Sequence, residues 1–420
     1  MQDKSFVPFT KEMKKDYTIL VPNMLPMHFR LIISVFETYG YNMELLESEG
    51  REIVETGLKY THNDACYPAI LVIGQFMQAL LSGKYDTHKT ALIMFQTGGG
   101  CRASNYISLI RKALKKAGME YVPVISFSLA GLEDHPGFRL NVPVLRSLLY
   151  AVLYGDLLMS LVNQLRPYEI NRGEAEALAL RRTEALGREL GSQGKIRYRR
   201  VKENYAAILK EFAAIPTEKR PTVQVGVVGE IFVKYSPLAN NDLERFLISE
   251  GAETVVPGLF DFCLFCVYNF LVESKAYGKK HALDPAFGFA YYYLCRKKSD
   301  IIELMKRDGS FRPWTPFPKI VKLVKGYIAT EVRMGEGWLL SAEMLELIDS
   351  GCKNIVCTQP FGCLPNHICG KGMMKPIIER NPGVNIVAID YDAGASRVNQ
   401  ENRLKLMLSN AKRNAREEGV

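Results

Sequence analysis

Several familiar signatures of chemistry are missing from this chain. It has no serine nucleophile elbow and, with six histidines in all, no histidine-rich zinc motif, so neither common type of hydrolase is indicated. No glycine run leads into Gly-Lys-Ser/Thr, and none has the spaced glycines of a dinucleotide fingerprint. Recognition-helix, zinc-finger and RNA-binding signatures are absent too, which makes nucleic acid a weak candidate partner. The N-terminus from Met1 to Phe6 lacks the basic-then-apolar layout of a secretory signal, an expectation of cytoplasmic localisation. The longest apolar stretch, Val142 to Leu165, is interrupted by Arg146, Ser147 and Asp156, and reads as a buried helix in preference to a membrane span.

What is present is an ordinary globular composition over 420 residues, too long for one hydrophobic core and suited to two domains. Nine cysteines, an odd number in a large chain, fit reduced thiols better than a disulfide framework, and some of them are ligand candidates. The formal charge of +9 comes partly from the run Lys195 to Lys202 and from the tail around Lys412 to Arg416. Solvated helix faces account for such runs; an acidic protein partner is the alternative, ahead of nucleic acid.

Short β-branched runs alternate with helical patterns, the signal of βαβ units and a parallel sheet. Strands are expected at Tyr17–Val21, Met43–Leu46, Ala91–Phe95 and Tyr121–Ser126, with helices near Met27–Tyr39, Tyr67–Leu81 and Arg102–Ala117. Three helical patterns then follow one another, Val142–Leu165, Glu174–Leu190 and Tyr198–Ala214. After Pro216 and Pro221 the run Thr222–Val228 opens a second α/β unit. Asn241 and Glu244 suggest a capping box for a helix over Asp242–Glu250. A strand at Glu253–Val256, long helices to about Ile348, strands at Asn354–Thr358 and Asn385–Asp390 and a basic helix from about Asn399 complete the pattern. The expected fold is α/β: two Rossmann- or flavodoxin-like domains with parallel sheets, residues 1–140 and 221–420, joined by a helical insert over 141–220.

Three cysteines stand where a loop feeds a helix: Cys66 before Tyr67-Pro68, Cys101 after Gly98-Gly99-Gly100, and Cys363 in Pro360-Phe361-Gly362-Cys363-Leu364-Pro365. Backbone N–H groups at a helix start favour negative charge, so such thiols are expected to titrate toward the metal-binding thiolate. All three lie at the end where open α/β sheets collect ligands, Cys66 before the helix starting near Tyr67, Cys101 after the strand ending at Phe95 and Cys363 after the strand ending at Thr358; two belong to one unit and one to the other, so a shared site would lie in the interdomain cleft. A three-thiolate site on iron leaves one coordination position open. In the glycine loop Gln96 to Cys101, cradling a cluster is favoured over binding phosphate or making a plain turn, and Arg102 would offset a cluster's negative charge. Cys357 and Cys369 flank Cys363 at intervals that match neither a zinc knuckle nor a ferredoxin run, so they are read as bystanders. His367 is a potential proton donor or fourth ligand, against the commoner case of a locally satisfied histidine. Cys263 and Cys266 read as core cysteines of a buried helix, and Glu230 as either a carboxylate near the cleft or a solvated one.

The cysteine loops, together with Gly226–Tyr235, Ala239-Asn240-Asn241, Gly335–Met344 and Gln359–Cys363, resemble the CoA-enzyme-activase-related proteins of the 2-hydroxyacyl-CoA dehydratase superfamily. The resemblance runs from about Tyr17 to Leu408. It implies a two-domain α/β fold with an iron–sulfur cluster, of the 4Fe-4S type, held near the domain interface, with Cys66, Cys101 and Cys363 as its ligands. It also implies a partner, an ATP-hydrolysing activator that carries its own cluster and injects low-potential electrons. This chain lacks nucleotide motifs and resembles the receiving side, whose dehydratase members bind acyl-CoA and pair with a homologous subunit. Two other readings stand beside it: a structural zinc protein using the same cysteines, and a metal-free scaffold partner of an activator complex.

Overall fold

A computed structural model describes residues 6–95, 100–127, 133–191, 196–276, 278 and 282–417. Residues 96–99 of the glycine loop and Lys195 of the basic run lie outside the described residues. After a single turn, α1 (Met13–Asp16), the first unit runs β1 (Thr18–Pro22), α2 (Pro26–Thr38), β2 (Asn42–Leu46), α3 (Arg51–Tyr60), α4 (Tyr67–Leu81), β3 (Thr90–Phe95), α5 (Tyr106–Lys116) and β4 (Val124–Phe127). Its four strands are all parallel in the order β2-β1-β3-β4. Ile19 and Leu20 on successive faces of β1 are both fully buried, as a strand covered by helices on both sides requires.

The connector is α6 (Val142–Leu165), α7 (Glu174–Leu190) and α8 (Tyr198–Ala213). By length and composition α6 could cross a membrane, but 72% of its most apolar window is buried inside the protein, and it serves as a core helix. Within the connector, α6 packs on α2 of the first unit and on β6 and α12 of the second.

The second unit runs β5 (Val223–Gly229), α9 (Ile231–Tyr235), α10 (Pro237–Asn240), α11 (Leu243–Ser249), β6 (Ala252–Val255), α12 (Leu259–Ala276), α13 (Asp284–Asp308), α14 (Phe317–Leu323), α15 (Trp338–Asp349), β7 (Asn354–Pro360), α16 (Met374–Arg380), β8 (Asn385–Tyr391) and α17 (Arg397–Glu417). Its four strands repeat the first sheet's plan, all parallel in the order β6-β5-β7-β8. In each sheet the chain steps first to one side of the opening strand and then to the other, creating a topological switch point, between β1 and β3 and between β5 and β7.

The expected capping box at Asn241 and Glu244 does not form. Asp242 takes the cap position with φ 57° and no side-chain cap bond, and Asn240 Oδ1 instead accepts from the Leu243 N–H at 3.1 Å. Asn241 donates to Gln400 at 2.8 Å, and Glu244 turns inward toward Thr254 Oγ1.

α3 and α4 approach unusually closely. A Cβ built on Gly74 would stand 2.1 Å from the Ile53 carbonyl oxygen, so no side chain fits without parting the two helices. Gly74→Ala is expected to lower stability by about 1–3 kcal/mol or more, read as a lower urea midpoint. The loss comes from overpacking, since alanine is otherwise the better helix former.

Candidate functional site

The carboxyl ends of the two sheets meet at the three cysteine loops. Cys66 is the residue before α4, and Pro68 at the first turn suits that start. The first N–H of the helix, on Tyr67, donates across the domain boundary to the Phe361 carbonyl at 3.0 Å. Gly362 makes this possible. It has φ 75°, and a Cβ there would lie 3.0 Å from Cys66 Cα, so the residue before Cys363 rests directly on the backbone of Cys66. On the other side Gly335 lies against both Pro365 and Cys101, its built Cβ 3.0 Å from Pro365 Cγ and 3.7 Å from Cys101 Cβ. Residues remote in sequence are thus brought into one neighbourhood, with Cys66 and Cys363 buried and Cys101 partly so.

Each thiol meets a backbone N–H at a helical start, as the loop-to-helix reading expects. Ala69 serves Cys66, Ala103 donates to Cys101 Sγ at 3.5 Å, and Asn366 serves Cys363. The expected consequence does not follow. Burial pushes Cys66 up, Cys101 up to about 11, and Cys363 higher still, and the carboxylates Glu230 and Glu336 add to the rise at Cys101 and Cys363. Desolvation and two nearby acids outweigh the helix-start dipoles, so the uncoordinated thiols are protonated at neutral pH. In metal-free protein, alkylation of Cys101 by iodoacetamide is therefore expected to be slow at pH 7 and to quicken roughly tenfold per pH unit toward its titration near 11. A fast reaction at pH 7, followed by mass spectrometry of the modified peptide, would show that the dipoles win after all.

Glu230 is buried, not solvated. It caps α9, its Oε2 accepting from the Val233 N–H at 2.9 Å. Glu336, in the turn before α15, accepts at Oε1 from the Ile231 N–H at 2.8 Å. Burial pushes both acids up, and the charge of Glu336 adds to the rise of Glu230, to about 8. Tyr106, the first residue of α5, is 7% exposed and places Oη 3.2 Å from Cys66 Sγ. Burial and the neighbouring Cys66 raise its titration far above the ordinary range, so the phenol keeps its proton and can donate to sulfur.

Tyr106 was not among the residues singled out from the sequence, and Glu336, though inside the Gly335–Met344 segment that carried the resemblance, was given no role there. A glutamate between two glycines, Gly335 and Gly337, both with positive φ, was the one local hint for Glu336. Tyr106 had only its distance of five positions from Cys101.

The remaining candidates fall outside this cluster. Cys357 lies within β7 and its thiol points to Asn366 Oδ1 at 3.7 Å. Cys369 is buried, its carbonyl accepting from the Ser341 hydroxyl at 2.5 Å. His367 is exposed, and its Nδ1 is engaged by Gln359 at 2.7 Å and lies 3.0 Å from the Cys363 carbonyl, the locally satisfied case. Cys263 and Cys266 sit on α12 with thiols pushed up chiefly by burial. Arg102 is exposed, and its charge eases the ionisation of Cys66.

Among the described residues no three His, Cys, Asp or Glu side chains come together tightly enough to hold a single metal ion. Tetrahedral zinc at about 2.3 Å from each sulfur would draw its ligands to within about 4 Å of one another. A polynuclear cluster binds each thiolate to a different iron, and asks only that the sulfurs surround a wider space. Phe361, Leu364 and Ile368 beside Cys363, Met334 beside Gly335 and Phe95 at the end of β3 are exposed large apolar side chains flanking the loops.

No family model and no curated protein matches this chain.

Proposed function

We propose that this chain is an iron–sulfur redox protein, with Cys66, Cys101 and Cys363 holding a 4Fe-4S cluster in the cleft between its two α/β units. The observation that carries the reading is the convergence of three thiols from three separate loops, each with a backbone N–H at hand, where both sheets end. When bound, such a cluster supplies one-electron chemistry and, with three protein ligands, one iron open to an oxygen of a substrate.

The surrounding residues divide the remaining work. Tyr106 donates a hydrogen bond at Cys66 Sγ, which lessens the charge to be borne there. Glu230 and Glu336 store a proton between them beside the thiols, available to a hydroxyl that must leave as water. Their burial keeps bulk water from supplying it. Negative groups this close in low dielectric make the addition of an electron costly, which fits a protein fed by a strong reductant.

In keeping with the sequence resemblance, the electron source in this reading is an ATP-hydrolysing activator carrying its own cluster, and the reaction is a difficult reduction or dehydration of the 2-hydroxyacyl-CoA type. The exposed apolar side chains flanking the loops are suited to a protein partner, whether that activator or a homologous subunit. All nine cysteines are unpaired, which agrees with a reducing, cytoplasmic setting.

Anaerobic purification followed by iron and acid-labile sulfide analysis and a visible spectrum tests the proposal. Brown protein with about four irons and four sulfides per chain is expected. Colourless protein with stoichiometric zinc would replace the cluster with a structural metal, and protein free of metal would leave a scaffold.

A further inference from the structure

The N-terminal half of α13 carries an apolar seam that the rest of the chain leaves uncovered. One side of the helix is in use: Phe287 stacks on Phe270 of α12 with ring centroids 4.3 Å apart, Tyr291 meets Tyr268 at 5.4 Å, and α13 also packs on α8. The opposite side is open. Pro285, Phe289, Tyr292 and Arg296 follow one another at intervals of four, three and four, the spacing of a helix–helix seam, and all four are exposed. Phe289 is 70% and Tyr292 63% exposed, the most exposed aromatic rings among the described residues.

Gly288 lies beside them on the same side of the helix. A Cβ built there meets nothing within 4 Å, so no described neighbour requires glycine at this point, where alanine would be the better helix former. Its small size serves a surface that comes from outside.

We propose that this seam is the contact between two copies of the chain, whose α13 helices lie antiparallel about a two-fold axis passing between Phe289 and Tyr292. Such an axis sets each Phe289 against Tyr292 of the other copy, giving two aromatic pairs at the centre. It also brings Asp284 of each copy level with Arg296 of the other, and Arg296 has no ion pair of its own among the described residues. The seam therefore complements itself in both shape and charge.

No charged residue occurs from Pro285 to Cys295, so the centre of the contact is free of the like charge that a net +9 per copy brings elsewhere. An acidic partner, drawn by that basic charge, would find almost none of it here. The exposed parts of Phe289 and Tyr292 amount to roughly 300 Å² per copy. A standard interface buries about 800 Å² per partner, so Pro285, Gly288 and the helix flanks must join the contact, and the dimer is expected at micromolar concentration.

The test is sedimentation velocity on the full chain, purified anaerobically, over roughly 1 to 100 μM. The mass is expected to rise from one chain toward two. Phe289→Asp and Tyr292→Asp should each raise the dimer dissociation constant at least about a hundredfold, because a two-fold axis makes one substitution act twice. Both positions are exposed, so each variant, when dilute, should melt like the unaltered chain. Should one of them fold poorly, the other decides. Phe361→Asp, at the cysteine loops, should leave the dimer intact. A monomer at every concentration, which would leave the seam to a different protein, overturns the proposal. So does a dimer that survives both aspartate substitutions on α13, or one that Phe361→Asp abolishes. Iron and sulfide are measured separately, so failure of the dimer and failure of the cluster are distinguishable.

Discussion

Serine at position 66, 101 or 363, introduced one at a time, is expected to strip iron and sulfide from the anaerobically purified protein, lowering both at least about tenfold and bleaching the visible absorbance. The change is nearly isosteric, but a serine hydroxyl does not ionise near neutrality, whereas iron draws the proton from a thiol even where burial holds Cys101 near 11. With three protein ligands in the proposed site there is no spare, so each substitution should act alone. Cys295→Ser is the control. Cys295 lies on α13, half-buried and in contact with Tyr291, away from the loops that meet at the cleft. It should leave iron, sulfide and colour intact. Equal losses in all four variants would point to general unfolding, checked by circular dichroism. Unchanged metal at 66, 101 and 363 would make these cysteines part of the core.

How much of this could be read in the amino-acid order differs between fold and site. The helices Tyr67–Leu81, Val142–Leu165 and Glu174–Leu190 have the expected bounds, because each is a long periodic segment closed by local signals such as Pro at its start or Gly at its end. The eight strands fall within a few residues of expectation, the fourth starting three later, at Val124. Arg51–Tyr60 was passed over: only Ile53 and Gly57 of its ten residues are buried, too thin a stripe to stand out.

At the site, the loop positions of Cys66, Cys101 and Cys363 are local features and could be read. Their protonation could not, because it depends first on burial and then on Glu230 and Glu336 of the second unit, which reach Cys101 from across the boundary and Cys363 from within their own unit. A helix-start dipole is visible in sequence, whereas the low dielectric that defeats it is not. The capping box failed for a related reason. Asn240, one residue earlier than the motif allows, found the open N–H, and Glu244 was taken inward.

Near the acid pair stands a buried cation, Lys234, whose removal should be costly. Lys234 Nζ donates to both oxygens of Glu343, at 2.8 and 3.1 Å, with the two side chains only 5% and 3% exposed. The same ammonium group eases the ionisation of Glu230 and Glu336. Lys234→Met fills nearly the same space and leaves Glu343 without its partner. The expected loss is about 3–5 kcal/mol, read as a fall in urea midpoint at constant slope. Glu343 would escape part of this by taking up a proton, but its burial still leaves polar atoms unanswered.

Replacing both partners, Lys234→Met with Glu343→Leu, should recover much of the loss, because the penalty belongs to a charge left alone and not to the absence of a pair. The double variant separates stability from chemistry. With the fold restored but the cation gone, Glu230 and Glu336 have lost the charge that favoured their ionised forms, so they should hold their proton to higher pH than in the unaltered protein. A single Lys234→Met costing under about 1 kcal/mol would mean that Glu343 is neutral beside it and that the acid pair is held by burial and backbone N–H groups alone.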